Sequence, residues 1–211
     1  MSTPTDLRTR KRLATRQSIS DAATLLFFER GFDQVTVDQI AAAADVGRMT
    51  VFNHFPRKED MFFDREEEGR ELLRQTLLQR EPGVAPVEAL RRLAHRLAVR
   101  SPYLSFTDKG RAYMEAIAGS EALKARARAI GDELAQAVAA ALCECVGRPA
   151  DDADARLAAA LLLATWRVAL NQAHQRFAQH GDAAQAKADF LAVIEKGTLG
   201  LNAALAATPY A

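Results

Sequence analysis

Four histidines, two cysteines and one dense run of polar and aromatic side chains, ADVGRMTVFNHFPRKED from Ala44 to Asp60, are where chemistry could reside in this 211-residue chain. In that run His54 stands among Phe52, Asn53 and Phe55, with Arg48 and Thr50 just before it and Lys58 just after. Three uses are open: a catalytic cluster around His54, a piece of ordinary core, or a surface shaped to meet something. Catalysis needs a partner at a defined spacing, and the chain has no Gly-rich phosphate loop, no HExxH and no GxSxG. His54, His95, His174 and His180 do not sit at metal-ligand spacing from one another or from a cysteine on one helix face. Cys143 and Cys145 are two residues apart, so on a helix they point in different directions. They form neither a metal clamp nor an unstrained disulfide, and read as small hydrophobes in a reducing cytosol. No enzymatic activity, cofactor or metal is expected.

The elements that must position this run are helical. Ala and Leu dominate, β-branched residues are few, and the chain has only 11 Gly and 7 Pro against 49% hydrophobic residues. Apolar positions recur at helical spacing from about Thr9 to Arg30, and Gly31 supplies a stop. Thr36 reads as the N-cap of a short helix ending near Ala44, with Asp38 in its first turn. A tight turn at Asp45–Gly47 leads into a second short helix that Pro56 ends. The pattern then predicts one long helix from Lys58 to about Arg80 and a linker at Glu81–Pro86. Further helices follow over about 87–100, part of 103–118, 121–146, 153–180 and 182–207. The fold expected is all-α, with about nine helices. No apolar run approaches the ~18 residues that span a bilayer, and a soluble cytoplasmic protein is expected. A formal net charge of +1 gives no global field toward polyanions, so any such site must come from local arrangement.

Two short helices joined by a turn of about three residues have helix-turn-helix spacing. Stepping about 100° per residue along the second, Val51 and Phe55 fall together as an i, i+4 pair facing Ile40 and the first helix. Arg48, Met49, Thr50, Asn53 and His54 occupy the remaining arc. Arg can read guanine edges, Asn adenine, and Met can touch a thymine methyl, while Thr and His can donate to phosphate. The alternative is a pair of small core helices with a solvated outer face.

The run Thr36-Val37, Ile40-Ala41, Ala44, Val46, Thr50-Val51-Phe52, His54-Phe55, Lys58-Glu59 and Phe62 resembles the N-terminal signature of the tetracycline-repressor (TetR) family. The agreement extends from about Arg12 to Phe63. The resemblance implies a DNA-binding domain over residues 9–58 and a ligand-binding and dimerisation domain over 59–211. It implies that Thr36 meets phosphate, that Arg48, Met49, Thr50 and Asn53 line the major groove, and that His54 and Lys58 hold flanking phosphates. Phe52 stands where members usually carry Tyr and cannot donate a hydrogen bond, so it is expected to pack against a sugar or another side chain. Gly47 and Met49 replace a frequent Ser and a frequent Gly. The cations Arg8, Arg10, Lys11, Arg12 and Arg16 read either as a solvated tail or as contacts to flanking backbone.

One helix-turn-helix reads only a few base pairs, so a homodimer on a near-palindromic operator is expected. The last two helices, rich in Ala and carrying Gly197 and Gly200, are the expected dimer surface; their stripe from Phe190 to Leu205 reads equally as monomer core. Tyr103, Phe106, Tyr113, Met114, Trp166, Asn171, His174 and Phe177 are candidates to line a pocket for a small effector. The function expected is a ligand-responsive transcriptional regulator, with no membrane partner. A helical enzyme and a plain protein-interaction module are the rival classes.

Overall fold

The computed structural model describes residues 7–100 and 106–211, and every regular element among them is helical. In chain order these are α1 (Leu7–Arg30), a single 3-10 turn (Phe32–Gln34), α2 (Val37–Ala43), α3 (Arg48–His54), α4 (Lys58–Phe62), α5 (Glu66–Leu78), α6 (Pro86–Arg100), α7 (Asp108–Gly119), α8 (Glu121–Val146), α9 (Ala153–His180) and α10 (Ala183–Ala204). The all-α expectation holds, with ten α-helices among the described residues against about nine expected. The extra one arises because the expected single helix from Lys58 to about Arg80 is broken at Phe63–Arg65. No Pro or Gly marks that break. Phe62 is buried against Phe27 and Phe32, at ring-centroid distances of 6.1 and 5.9 Å, and Ser20 donates to the Asp64 carboxylate. Tertiary contacts on α1 therefore hold α4 and its exit in a direction that a straight helix would not follow.

The chain forms two compact units, the first containing the described residues up to Glu66 together with Ala116–Arg126, the second Glu67–Glu115 and Ala127–Ala211. In the first, α1 carries Ile19, Ala23, Leu26 and Phe27 inward against α2, α3 and α4. Leu13, one of the apolar positions in the α1 pattern, is exposed, as are the other residues of the first two turns of α1. The α7–α8 corner belongs to this unit: the Ser120 hydroxyl donates to Asp33 at 2.8 Å, and Arg126 reaches Asp60 at 2.9 Å and Glu66 at 3.0 Å. The Ser101-Pro102 pair, which by sequence reads as an N-cap followed by a first-turn proline, lies outside the described residues.

In the second unit α10 packs along α9 and against α6. The α10 stripe Phe190, Ile194, Thr198, Leu201 and Leu205 is buried within the chain. Its α9 counterpart is mostly alanine, at Ala155, Ala158, Ala159, Ala169 and Ala173. Small residues let the two helices pack closely, and at Gly197 there is no room for a side chain: a Cβ there would lie 2.1 Å from Thr165 Cγ2 and 2.9 Å from Thr165 Cβ. Gly197 is thus part of the chain's own interior, while Gly200 faces open space. Cys143 is a buried core residue beside Leu142 and Tyr210.

Replacing Gly197 by Ala should therefore lower the denaturant midpoint, costing about 1–3 kcal/mol of stability. The β-branched Thr165 cannot swing aside without moving a helix. Gly131, an α8 position where an added methyl would have nothing within 4 Å, is the control. Gly131→Ala should gain up to about 1 kcal/mol from helix propensity alone. Equal effects in the two variants would contradict the close crossing.

Candidate nucleic-acid interface

The interface is built on two helices of seven residues each, too short to persist in isolation. Helix α2 is started by a reciprocal capping box: Thr36 Oγ1 accepts from Gln39 N–H, and Gln39 Oε1 accepts from Thr36 N–H at 2.9 Å. The Thr36 hydroxyl proton is not used in this cap, and the residue is exposed. The turn into α3 passes through Asp45 at φ 52, a left-handed conformation that Asp tolerates, and Val46 N–H closes it on the Ala41 carbonyl at 3.0 Å.

Helix α3 is held from below by Val51 and Phe55, both fully buried, against α1 and α2. Arg16 of α1 adds a clasp: its guanidinium lies 4.0 Å from the Phe55 ring centroid and donates to the His54 carbonyl at 2.7 Å. Of the cations in the N-terminal run, Arg16 is the one turned inward; Arg8, Arg10, Lys11 and Arg12 are exposed on α1.

The outer side of α3 carries the side chains singled out from the sequence. Met49 is 71% exposed and Asn53 is exposed, while Thr50 and His54 are partly so. The Arg48 guanidinium is engaged on two sides. It pairs with Asp38 at 2.9 Å, both side chains being more than half exposed, and lies 5.5 Å from the Phe52 ring centroid. The ring that cannot donate a hydrogen bond thus supports the arginine one turn earlier. Burial, and then the charges of Arg12 and Arg16, hold the His54 imidazole below its ordinary value of 6.5, so it is neutral at pH 7.

Lys58 has a structural occupation. Its ammonium donates to the carbonyls of Phe32 at 2.9 Å and Val35 at 3.0 Å and lies 4.2 Å from the Phe32 ring centroid. Two of its three N–H donors are therefore spent on the chain. No local pattern pointed to this role, because its partners lie more than twenty residues earlier. The Gln39 half of the capping box did have a signal, the T-x-x-Q spacing from Thr36.

The pocket candidates fall apart into separate groups. Phe106, Trp166 and Phe177 gather in one apolar cluster of the second unit with Phe190, and His174 stacks edge-on with Phe106 at 5.0 Å. Asn171 is exposed on α9, and Tyr113 and Met114 are half-buried on α7. Tyr103 lies outside the described residues. Among the described residues no group of three His, Cys, Asp or Glu side chains could hold a metal ion, and no helix is long and apolar enough to cross a membrane.

Residues 19–64, the segment that contains this interface, match the sequence profile described as bacterial regulatory proteins, tetR family. The HTH-type transcriptional regulator TcmR of Streptomyces glaucescens is 42% identical over 55 residues, 26% of this chain and 24% of TcmR, so the match spans about a quarter of that relative. Over nearly the whole length the fold is similar to that of SmeT in complex with triclosan (TM-score 0.57, 23% identity, 89% of this chain and 91% of that one). SmeT is the repressor of the Stenotrophomonas maltophilia multidrug efflux pump SmeDEF. A similar likeness holds for Thermus thermophilus FadR, a TetR-family transcriptional repressor solved with lauroyl-CoA (TM-score 0.51, 27% identity, 88% and 92%). Over residues 19–64, its helix-turn-helix segment, the chain is thus similar to the bacterial regulatory proteins of the tetR family.

Proposed function

We propose that this chain is a ligand-responsive transcriptional regulator, a repressor that binds a near-palindromic operator as a homodimer and is released by a small hydrophobic or amphipathic effector. The observation that carries this reading is the outer face of α3. Arg48, Met49, Thr50 and Asn53 contribute little to the core, yet a buried pair and an arginine clasp hold their helix in a fixed position. In the complex Arg48 and Asn53 read base edges, Met49 meets a thymine methyl, and Thr36 and His54 donate to phosphates. Lys58 contributes its remaining N–H to the flank. The functional division is 9–58 for DNA and 59–211 for ligand and partner.

The effector half of the reading is supported by the fold likeness to SmeT, solved with triclosan, and to FadR, solved with lauroyl-CoA. An effector that prefers a form in which the chain after Lys58 has shifted changes the separation of the two α3 helices in the dimer. That separation must be ~34–36 Å, or a multiple, on a palindrome. Differential affinity of ~5.5 kcal/mol would move the population almost completely. The dimer surface is the second stripe on α9 and α10: Leu157, Ala160, Ala164 and Val168 on one helix, Ala188, Ala192 and Leu199 on the other, all exposed on the single chain.

Protection of the DNA upstream of the chain's own gene, with affinity falling steeply as salt rises, is the primary test; an enzyme or a protein-interaction module would give no footprint. Arg48→Ala and Asn53→Ala should each weaken operator binding by about 1–3 kcal/mol in a gel-shift titration, and wild-type affinity in both would remove α3 from the groove. The pH dependence has a defined sign. A phosphate beside His54 raises the imidazole pKa that the free protein holds down, so the complex carries more protons than its parts. Affinity should rise as pH falls from about 7.5 to about 5.5, and His54→Gln should flatten the profile. Replacing both Val168 and Leu199 by Glu should give a monomer by sedimentation equilibrium and weaken operator binding by more than tenfold; an unchanged dimer would move the interface elsewhere.

A further inference from the structure

Within the second unit the half-buried ring of His174, on α9, carries a shielded polar atom. The Nδ1 atom of His174 is shut off from solvent and has no hydrogen-bond partner. A buried polar atom left in this state is destabilising and calls for an explanation. Its surroundings offer no compensation. Ala94, Ala169, Ala173, Ala186 and Phe190 are all fully buried in the adjoining cluster, with Phe106 buried beside them. Burial holds the imidazole below its ordinary value, so the ring is neutral at pH 7.

Phe106 differs from the rest of the cluster in its support. The other members sit on α6, α9 and α10, whereas Phe106 lies in the connection before α7. Its ring meets the His174 ring at 5.0 Å and 64°. The helical members are fixed by the helices that carry them, whereas Phe106 precedes the first turn of α7.

We propose that His174 is the polar recognition point of the effector site and that the Phe106 ring occupies the effector's place in the unliganded chain. This rests on the ligand-responsive reading above and narrows it to a chemical class. The effector is uncharged, mostly apolar, about the width of a phenyl ring where it meets His174, and carries a single hydrogen-bonding group such as a phenolic or alcoholic hydroxyl. A charged group is excluded by the interior: among the described residues no Asp, Glu, Lys or Arg is fully buried. The nearby Arg176 is already paired with Asp189 at 3.0 Å. An ionised ligand would lose its hydration with nothing to replace it. The neutral imidazole can accept from or donate to a hydroxyl, according to tautomer.

The test uses three probes of one shape, 4-isopropylphenol, isopropylbenzene and 4-isopropylbenzoate. Binding is followed by calorimetry and by the fluorescence of Trp166, which lies edge-on to Phe190 at 6.0 Å and is the one tryptophan of the chain. Wild type should bind the phenol at least as tightly as the hydrocarbon, although water holds the phenol more strongly, and should bind the benzoate at least about tenfold more weakly. His174→Leu should weaken the phenol about tenfold and leave the hydrocarbon unchanged or tighter. Phe106→Ala should tighten the phenol and the hydrocarbon together, because the occupying ring is gone. It provides an independent arm if His174→Leu does not fold. Phenol preference retained in His174→Leu, benzoate binding equal to phenol binding, no binding of the phenol by wild type, or Phe106→Ala without gain would each overturn the assignment. Operator binding measured without any probe separates the two levels: a chain that binds operator but fails these tests loses the proposed site and keeps the regulatory reading.

Discussion

Whatever α3 presents to a partner depends on the burial of Val51 and Phe55. A helix of seven residues has too few internal hydrogen bonds to offset the cost of its own nucleation, and its polar outer side contributes nothing to folding. Two fully buried side chains are worth about 1.5–3 kcal/mol each, enough to hold such a helix only if the surface beneath them is already rigid. That surface is α1 and α2, and the long α1 is the one element of the unit with many turns of its own. The direction in which Arg48 and Asn53 point is therefore decided underneath, by apolar contacts that never meet a partner.

A set of long-range polar contacts reinforces this arrangement. Arg16 joins α1 to the end of α3, Lys58 joins the start of α4 to the 3-10 turn, and Arg126 joins α8 to Asp60 and Glu66. In each case a long cation reaches a carbonyl or carboxylate that helix geometry alone leaves unsatisfied or exposed. The Arg126 pairs are well shielded, with 13% exposure on the arginine, and so are screened less than surface pairs. They bind the α7–α8 corner to the same unit as the helix-turn-helix, although the two lie far apart along the chain.

What could be read from the sequence follows the range of the interactions involved. The α2–turn–α3 arrangement was legible because its determinants are local: a Thr cap, an Asp able to take a left-handed turn, and an i, i+4 apolar pair. The break between α4 and α5 was not, because Phe62 and Asp64 are bent toward partners on α1 and no breaker residue accompanies them. The same holds for Lys58, an ordinary surface cation by sequence, whose partners are two distant carbonyls. The aromatic and polar residues of the C-terminal part could be named as a set, but composition does not say which of them meet. Phe106 and His174 come into contact, while Asn171, three residues from His174, faces solvent.

The state of Arg48 shows how the proposed interface can be prepared without being locked. Its pair with Asp38 is open to water, and such pairs are worth about 0–1 kcal/mol. The Phe52 ring adds about 0.5–1 kcal/mol at an exposed site. Against these, a bidentate contact from arginine to guanine discriminates by about 1–3 kcal/mol. In the proposed complex Asp38 can therefore release the guanidinium to a base at small cost, while the Phe52 contact, lying on the same helix, need not be given up at all. A tyrosine at position 52 would offer its own hydroxyl to a phosphate; a phenylalanine offers only its face, and the face is turned to the arginine. In the proposed complex the exchange of one ring for the other would move the contribution of that position from holding the partner's backbone to orienting Arg48.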